Sequence, residues 1–245
     1  MKRIDKNRLP RHIAIIIDGN GRWAKKNTLG RISGHREGAE SVRAIVETCR
    51  ELGIRYLTLY TLSVENWLRP AGEVKALMNL LRRYLKSEVK TMIGNDIRLT
   101  TIGHIDAIPP EVKEILIKAI DATKHCRSMV LNLALSYGGR DEIVEAVKGI
   151  IEDVAIGRIE ISDVTKDSFS RYLSTQAMPD PDLLIRTSGE YRLSNFLLWQ
   201  SAYTELYFTD VLWPDFRRES LIKAIIDYQK RERRYGMTSE QILKD

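Results

Sequence analysis

The chain has 245 residues, of which 43% are hydrophobic and 29% are charged, so disorder, collagen-like repeats and disulfide-stapled miniature folds are excluded. Lysine and arginine outnumber aspartate and glutamate by 39 to 33, and the formal net charge of +6 favours an anionic partner, which composition leaves open as nucleic acid, a membrane surface or a phosphate-bearing metabolite. The only two cysteines, Cys49 and Cys126, fit no zinc-binding spacing and agree with a reducing, cytoplasmic location. We expect neither a signal peptide nor a transmembrane helix, because no apolar run approaches about 20 residues.

Six short apolar runs predict β-strands, and several are apolar throughout, which is typical of strands covered on both faces. The predicted strands cover residues 12–17, 56–62, 97–102, 129–135, 182–186 and 205–208. Between and after them, apolar residues recur at the spacing of helices. The predicted helices lie near residues 36–52, 72–94, 110–125, 140–156, 166–175 and 216–234.

Strands that alternate with helices indicate βαβ units. The predicted fold class is therefore α/β, with a central, mostly parallel six-stranded sheet flanked by helices. No long linker or internal repeat interrupts the pattern, so we expect one domain over residues 1–245, with a core at about 11–235 and short charged termini. The basic run at 230–234 ends the last predicted helix, and we interpret it as a solvated terminus rather than a nucleic-acid patch.

The segment after the first predicted strand reads DGNGRW and combines glycines with positive charge. Residues 19–36 contain five lysines and arginines and no acid, which suits a cradle for a diphosphate. The spacing matches neither a dinucleotide-binding motif nor a P-loop. Asp18, the carboxylate directly before this stretch, is interpreted either as a Mg²⁺ ligand facing phosphate or as a turn residue, and spacing does not decide between them.

Polar side chains also follow the second and fifth predicted strands. The loop at 63–70 contains Glu65, Asn66, Trp67 and Arg69, and the loop at 186–195 adds arginine forks and serine hydroxyls that match phosphate geometry. In a parallel sheet, the segments that leave the carboxyl ends of the strands form the ligand site. A surface ion pair is the alternative for either arginine, and Glu205 is a weaker candidate for completing a metal site.

Five blocks of the sequence resemble the signature motifs of cis-prenyltransferases, above all those of bacterial undecaprenyl diphosphate synthases. They read HIAIIIDGNGRWA (12–24), GHREG (34–38), TLSVENWLRPAGEV (61–74), LNLALSYGGR (131–140) and DLLIRTSGEYRLSNFLLWQSAYTELYF (182–208). The blocks occur in the expected order across nearly the whole chain. The rival trans-prenyltransferases are all-helical and carry DDxxD motifs, and this sequence has none.

The resemblance implies catalytic roles for Asp18 and Asn66 and metal ligation by Asp18 and Glu205. Many members carry histidine where this chain has Tyr191, so the resemblance does not carry over the metal or water contact attributed to that histidine. The substrate-binding residues implied by the resemblance are Gly19, Asn20, Gly21, Arg22, Trp23, Arg31, His35, Ser63, Val64, Glu65, Trp67, Arg69, Arg186, Arg192, Leu193 and Ser194.

The implied activity is repeated condensation of isopentenyl diphosphate onto an allylic diphosphate such as farnesyl diphosphate, with Mg²⁺, to give undecaprenyl diphosphate. Shorter products and a non-catalytic subunit of the same fold are the alternatives. The resemblance also implies a homodimer, and a product that grows by hydrophobic units requires an apolar tunnel and suits a peripheral membrane contact for its release. We expect no nucleic-acid partner, because the sequence has no aromatic–basic interleaving and no nucleic-acid-binding motif. We expect Met129 and Leu131 to lie at the tunnel floor.

Overall fold

This computed structural model describes residues 4–234, Thr238 and Gln241, which form six strands and seven α-helices. The strands are β1 (His12–Ile16), β2 (Tyr56–Ser63), β3 (Ile97–Ile102), β4 (Met129–Tyr137), β5 (Leu183–Arg186) and β6 (Glu205–Phe208). The helices are α1 (Asn20–Lys26), α2 (Arg31–Leu52), α3 (Ala71–Gly94), α4 (Pro110–Thr123), α5 (Gly139–Ala155), α6 (Lys166–Ser170) and α7 (Arg218–Tyr228). Short 3-10 helices cover Lys6–Arg8, Val64–Leu68, Ile105–Ala107, Ile161–Asp163 and Trp213–Asp215.

The strands form one sheet in the order β3-β4-β2-β1-β5-β6, and each neighbouring pair is parallel. The predicted α/β fold with a six-stranded sheet is therefore confirmed. In the register, Ile16 at the end of β1 lies beside Tyr60 of β2 and Arg186 of β5. The chain consequently leaves these three strands at one edge of the sheet, where parallel α/β proteins place their ligands.

The two faces of the sheet carry different cores. Buried side chains of α2, α3, α4 and α7 cover one face. On the other face, the ring of Phe196 stacks on Tyr60 at 4.4 Å between centroids and meets Tyr137 edge-on at 6.0 Å. Each aliphatic or aromatic side chain buried in this way contributes about 1.5–3 kcal/mol to the free energy of folding, so packing on both faces stabilises the sheet.

One helix was missed, and three of the predicted helix bounds were wrong. Helix α1 was not predicted, α2 begins at Arg31 rather than near 36, α6 ends at Ser170 and α7 ends at Tyr228. Two arginines of the basic run at 230–234 are not simply solvated, because Arg231 pairs with Glu205 of β6 and Arg233 pairs with Asp182 just before β5. The expected domain end at 235 and the extreme termini lie outside the described residues. Within the described ranges, no helix combines the length and apolar character needed to cross a membrane.

Candidate active site

A wide cleft of about 1690 Å³ of empty space, partly open to solvent, lies at the carboxyl ends of β1, β2 and β5. The segments after these strands, together with the first turns of α2 and α3, supply its walls. Fourteen of the residues predicted from the sequence line the cleft: Asp18, Gly19, Asn20, Gly21, Arg22, Arg31, His35, Ser63, Glu65, Asn66, Arg69, Arg186, Arg192 and Ser194.

Asp18 is held in place by the chain that follows β5. Its backbone N–H donates to the Thr187 hydroxyl at 3.0 Å, and that hydroxyl donates to the Asp18 carbonyl at 2.7 Å. The N–H of Gly19 donates to Asp18 Oδ1 at 2.7 Å. Gly19 has φ of 103°, and a Cβ there would lie 2.9 Å from the Cβ of Ser188, so this turn requires glycine.

Two guanidinium groups flank the Asp18 carboxylate. Arg186 Nη2 lies 3.0 Å from Oδ2, and Arg22 Nη2 lies 3.4 Å from Oδ1. Arg186 is 3% exposed and also donates to the Ser194 hydroxyl at 2.7 Å, while its Nε has no partner. A buried arginine with an unused donor carries capacity for an anionic ligand, because a buried polar group normally finds a partner.

The loop after β5 adopts backbone conformations that its residues rarely adopt. Ser188, Ser194 and Asn195 have φ of 74°, 49° and 62°. Each such residue costs on the order of 1–3 kcal/mol, which the surrounding contacts must offset. The N–H of Gly139 donates to the Asn195 carbonyl at 2.7 Å, and the N–H of Arg140 donates to its Oδ1 at 2.8 Å. The loop is therefore fixed by the start of α5.

Glu73, in the first turn of α3, collects three predicted diphosphate-binding side chains. It pairs with Arg31 at 2.7 Å and Arg69 at 3.1 Å, and its Oε1 lies 3.7 Å from His35 Nε2. Burial lowers the pKa of His35, against the attraction of Glu73. Sequence reasoning missed Glu73 as a site residue, although its block was noted.

Glu190 was missed in the same way. It lies 3.2 Å from Arg22 and also pairs with Arg192, so two more predicted substrate-binding arginines share one carboxylate. Thr187 and Ser188 were missed too, and both hold predicted residues in place: Arg22 donates to the Ser188 carbonyl at 2.8 Å. The signal for Glu190 and Glu73 was their spacing of a few residues from arginines, which alone does not distinguish a site from a surface pair.

Asn66 lies in the 3-10 helix after β2, where its side chain caps that helix. The N–H of Ser63 donates to Asn66 Oδ1 at 3.2 Å. Glu65 accepts a hydrogen bond from Asn195 at 3.0 Å. Burial would raise the pKa of Glu65, but hydrogen bonds from its own N–H, Ser63 and Asn195 lower it, so this carboxylate is charged beside the cleft.

Four predicted substrate-binding residues do not line the cleft. The Trp23 indole donates to Asp215 at 2.7 Å, and the Trp67 indole donates to the Ser136 hydroxyl at 2.9 Å. Leu193 packs on the core around Phe196. Val64 is half-buried. The two tryptophans thus tie neighbouring segments together, and contact of these four side chains with substrate stays a prediction.

Glu205 lies at the amino ends of the strands, whereas Asp18 lies at their carboxyl ends. It begins β6 opposite Leu183, which in turn pairs with Ile13, whereas Asp18 follows Ile13 by five residues, roughly 16 Å along the strand direction. Its carboxylate pairs with Arg231 at 2.9 Å. Within one chain, the structure does not bring together the two carboxylates that the resemblance assigns to the metal.

The residues present fit a Mg²⁺ ion that arrives with phosphate. No group of three or more histidine, cysteine or carboxylate side chains in the described ranges could hold a metal. Mg²⁺ is usually bound by one or two carboxylates and substrate phosphate oxygens, and Asp18, with its side chain 30% exposed, is such a carboxylate.

Tyr191, in place of the family's histidine, is 74% exposed, and its ring centroid lies 5.2 Å from that of Phe208.

An apolar cavity with about 700 Å³ of empty space, partly open to solvent, adjoins the cleft between α2, α3 and the sheet. Ile17, Asn20, His35, Thr61 and Leu77 line both spaces. The remaining wall is formed by Gly38, Ala39, Val42, Leu62, Met78, Leu80, Leu81, Tyr84, Leu133, Leu135 and Trp213. The expected floor residues Met129 and Leu131 are not among these, because they lie on the same strand farther from the cleft, inside the packed core.

Comparison with known proteins agrees with this geometry. Residues 16–236 match the prenyltransferase family model that describes undecaprenyl diphosphate synthases. The chain belongs to the undecaprenyl diphosphate synthase family. An isoprenyl transferase of Geobacter sulfurreducens is 56% identical over 236 residues, 96% of each chain. One of Clostridium perfringens is 52% identical over 94% of this chain and 91% of its own.

Solved structures extend the family relationship. Lavandulyl diphosphate synthase from Lavandula x intermedia, in complex with dimethylallyl diphosphate, has a TM-score of 0.92 at 38% identity and covers 94% of this chain and 99% of its own. A probable undecaprenyl diphosphate synthase from Campylobacter jejuni has a TM-score of 0.76 at 32% identity and covers 96% and 100%. This member of the undecaprenyl diphosphate synthase family is a prenyltransferase of the cis type.

Proposed function

We propose that this prenyltransferase condenses isopentenyl diphosphate repeatedly onto farnesyl diphosphate and releases undecaprenyl diphosphate, for use as a cell-wall lipid carrier. The observation that carries the proposal is the junction between an arginine-rich cleft and an apolar cavity. Arginine forks bind diphosphate oxygens, and an apolar cavity accepts hydrocarbon at about 25 cal/mol per Å² buried. Such an arrangement suits an allylic diphosphate with a lengthening tail.

The allylic diphosphate would occupy the wall formed by the turn after β1 and the start of α2. Arg22, Arg31, Arg69 and His35 supply donors there, and most of them are paired with carboxylates. An incoming diphosphate would replace Glu73 as the counter-charge of Arg31 and Arg69. Arg186, Arg192 and Ser194 would bind the diphosphate of the isopentenyl unit.

Each elongation step breaks the allylic carbon–oxygen bond and forms a carbon–carbon bond. The diphosphate leaves with the electron pair, the isopentenyl double bond attacks, and a proton is then lost. Guanidinium groups stabilise the departing charge, which is electrostatic catalysis. Asn66 is a poor base because amides are neutral, and its oxygen already accepts from Ser63, so diphosphate or water would share the proton transfer.

Mg²⁺, when bound, supplies positive charge to the diphosphate, and Asp18 is the proposed ligand. Glu205 remains a proposed ligand only as the residue of a second copy of the chain, because its position within one chain is at the other edge of the sheet. We propose a homodimer. Val144, Val147 and Ile151 on α5 support it, since they form an apolar stripe that is 52%, 43% and 61% exposed.

The proposed setting is the cytoplasm, with a single folded domain that meets the membrane from the water side to release its product. The deciding experiment is incubation with farnesyl diphosphate, isopentenyl diphosphate and Mg²⁺, followed by sizing of the products. We expect polyprenyl diphosphates that disappear when EDTA is added. Absence of any product, with or without EDTA, would favour a non-catalytic subunit, and short products only would favour a shorter-chain synthase.

A further inference from the structure

The outer face of α3 carries a stripe of positive charge. By the repeat of the α-helix, its cations fall within one arc of roughly 100° and cover roughly 22 Å along the helix axis. This α3 basic stripe consists of Lys75, Arg82, Arg83, Lys86 and Lys90. Arg82 is half-buried, and the other four side chains are exposed to solvent.

The charges of the stripe are not neutralised by ion pairs. In the part of the chain that the structure describes, none of the five cations pairs with a carboxylate. The two acids of α3, Glu73 and Glu88, pair instead with arginines of the cleft and of α2. Glu111 of α4 lines a surface groove together with Lys75, so residues 82–90 form the more strongly charged part of the stripe.

The opposite face of the same helix lines the apolar cavity. Leu77, Leu81 and Tyr84 contribute to the cavity wall and lie roughly half a turn around α3 from the stripe. Helix α3 therefore separates an apolar space on its inner side from unpaired positive charge on its outer side. Ile93, which is 39% exposed, falls on the same arc as the cations at the far end of the helix.

The shape of the stripe indicates the kind of anion that it fits. Cations on the convex surface of a helix cannot enclose a small anion, whereas a flat surface can contact a straight stripe along its whole length. An anionic bilayer is such a surface, and it attracts lysine and arginine side chains near its headgroups. The stripe contains no aromatic side chain on which a nucleic-acid base could stack.

We propose that the α3 basic stripe docks the protein on the anionic headgroups of a lipid bilayer. Because a helix with its side chains is about 10–12 Å thick, the apolar cavity would then lie about that far behind the headgroups. The inference rests on the proposed function in one respect, since only a polyprenyl product would have to pass from the cavity into lipid. Docking itself requires no catalysis, and the cations of the stripe take no part in bond formation.

The test is co-sedimentation of the full chain with vesicles made of equal parts of phosphatidylglycerol and phosphatidylcholine. Each lysine or arginine near an anionic surface contributes roughly fivefold to the partition coefficient. The triple variant Arg83→Gln, Lys86→Gln, Lys90→Gln should therefore bind about 10–100-fold more weakly than the wild type. Raising the salt concentration from about 0.1 M to about 1 M shortens the Debye length from about 10 Å to about 3 Å and should release the wild type.

A second triple variant, Lys166→Gln, Arg171→Gln, Lys223→Gln, is the matched control. It removes two lysines and one arginine that are also exposed, from α6, the residue after it and α7, so net charge changes equally. Its vesicle binding should equal that of the wild type. Circular dichroism and turnover in detergent solution should be unchanged in both triple variants.

Equal vesicle binding by the two triple variants would overturn the docking role of the stripe. Equal binding of the wild type to phosphatidylcholine alone would overturn it too. A loss of duplex-DNA binding in the α3 variant, with vesicle binding unchanged, would assign the stripe to nucleic acid instead. Charge-dependent vesicle binding by a wild type that makes no polyprenyl product would overturn the proposed function and support the docking surface.

Discussion

Arginine–carboxylate pairs lie at both edges of the sheet, but their surroundings differ. At the carboxyl edge, Asp18 is shared by Arg186 and Arg22 in an open cleft, and Arg186 Nε has no partner. At the amino edge, Asp182 accepts the N–H groups of Arg11 at 2.7 Å and His12 at 3.0 Å and also pairs with an arginine from beyond α7. The first arrangement can exchange partners with a ligand, whereas the second holds chain segments together.

The contrast between the two edges shows that the cleft at the carboxyl edge is a place where positive charge is in excess. Sequence composition could not distinguish nucleic acid, membrane and phosphate as the partner. At the carboxyl edge, Glu73 and Glu190 each serve more than one arginine, so the cleft holds more donors than carboxylates. Donors in excess on a concave wall suit compact anions such as diphosphates rather than an extended polyanion.

The largest expected effect is that of Asp18→Ala. Removing the carboxylate leaves Arg186 and Arg22 without their shared counter-charge and removes the proposed Mg²⁺ ligand, so we expect turnover to fall about 10²–10³-fold. Incorporation of isopentenyl units measures the loss, and circular dichroism checks that the fold persists. Asp182→Asn at the amino edge is the matched control, which should lower stability and spare turnover. Near-normal turnover of Asp18→Ala would remove this residue from the mechanism.

The second prediction concerns His12 at the amino edge. Burial lowers its pKa from 6.5 to about 4, against a hydrogen bond with the Pro179 carbonyl and the charge of Asp182. Because His12 binds the proton more readily in the unfolded chain, the stability that its neutral form contributes is fully present above about pH 6.5. This contribution is lost as the pH drops toward 4. The loss reaches about 3 kcal/mol for this group.

Urea unfolding between pH 7 and pH 4 tests the His12 prediction. The His12→Asn variant should be less stable at neutral pH but should show a shallower decline over this range. The ring is held by Pro179 O at 2.7 Å and Thr58 Oγ1 at 2.8 Å, which suits the neutral form with one donor and one acceptor. An equal slope in both proteins would show that His12 is not the group that titrates.

Arg186→Lys is expected to have the next largest effect. A lysine retains the charge, but it lacks the planar guanidinium fork by which Arg186 reaches Asp18 and Ser194 at the same time. Loss of a charge-assisted hydrogen bond costs about 1.5–3 kcal/mol, so KM for isopentenyl diphosphate should rise roughly 10–100-fold. Steady-state kinetics with varied isopentenyl diphosphate measure this rise. An unchanged KM with a lower kcat would assign Arg186 to the reacting step instead of to binding.

The sequence predicted the sheet better than the site, and the reasons are physical. The strand β4 lies in a continuous apolar run that stands out in a linear sequence, and its observed end differs by two residues from the prediction. The turn at Gly19 was also predictable, because only glycine suits such a φ. Helix α1 was missed because its seven residues carry no long apolar face.

Residues of the cleft were predictable where they lie at or just after the end of a strand, and not where their partner is remote in sequence. Asp18 and Arg186 are of the first kind, since parallel strands end at one edge. Glu73 pairs with Arg31 across 42 positions, and no local pattern reports such a contact. Glu205 was predicted at the start of the last strand, but only the strand register shows how far it lies from Asp18 in one chain, and its role as a metal ligand stays a prediction.

The smallest expected effect on stability is that of Glu205→Gln. The pair with Arg231 is partly exposed, with side chains 25% and 31% accessible, so its loss should cost about 0.2–1 kcal/mol of unfolding free energy. Urea denaturation measures this cost. A loss of several kcal/mol would mean that the amino-edge pair is a main anchor of the segment after α7.

Glu205→Gln also tests whether the two edges meet between chains. If Glu205 serves the metal from a second copy, Asp18→Ala and Glu205→Gln chains expressed together should recover about a quarter of wild-type activity. Half of the dimers are mixed, and one of the two sites in each mixed dimer keeps both carboxylates. Each variant alone should be impaired. If Glu205→Gln alone turns over normally, Glu205 is solely a structural partner of Arg231, and the contrast between the two edges of the sheet is complete.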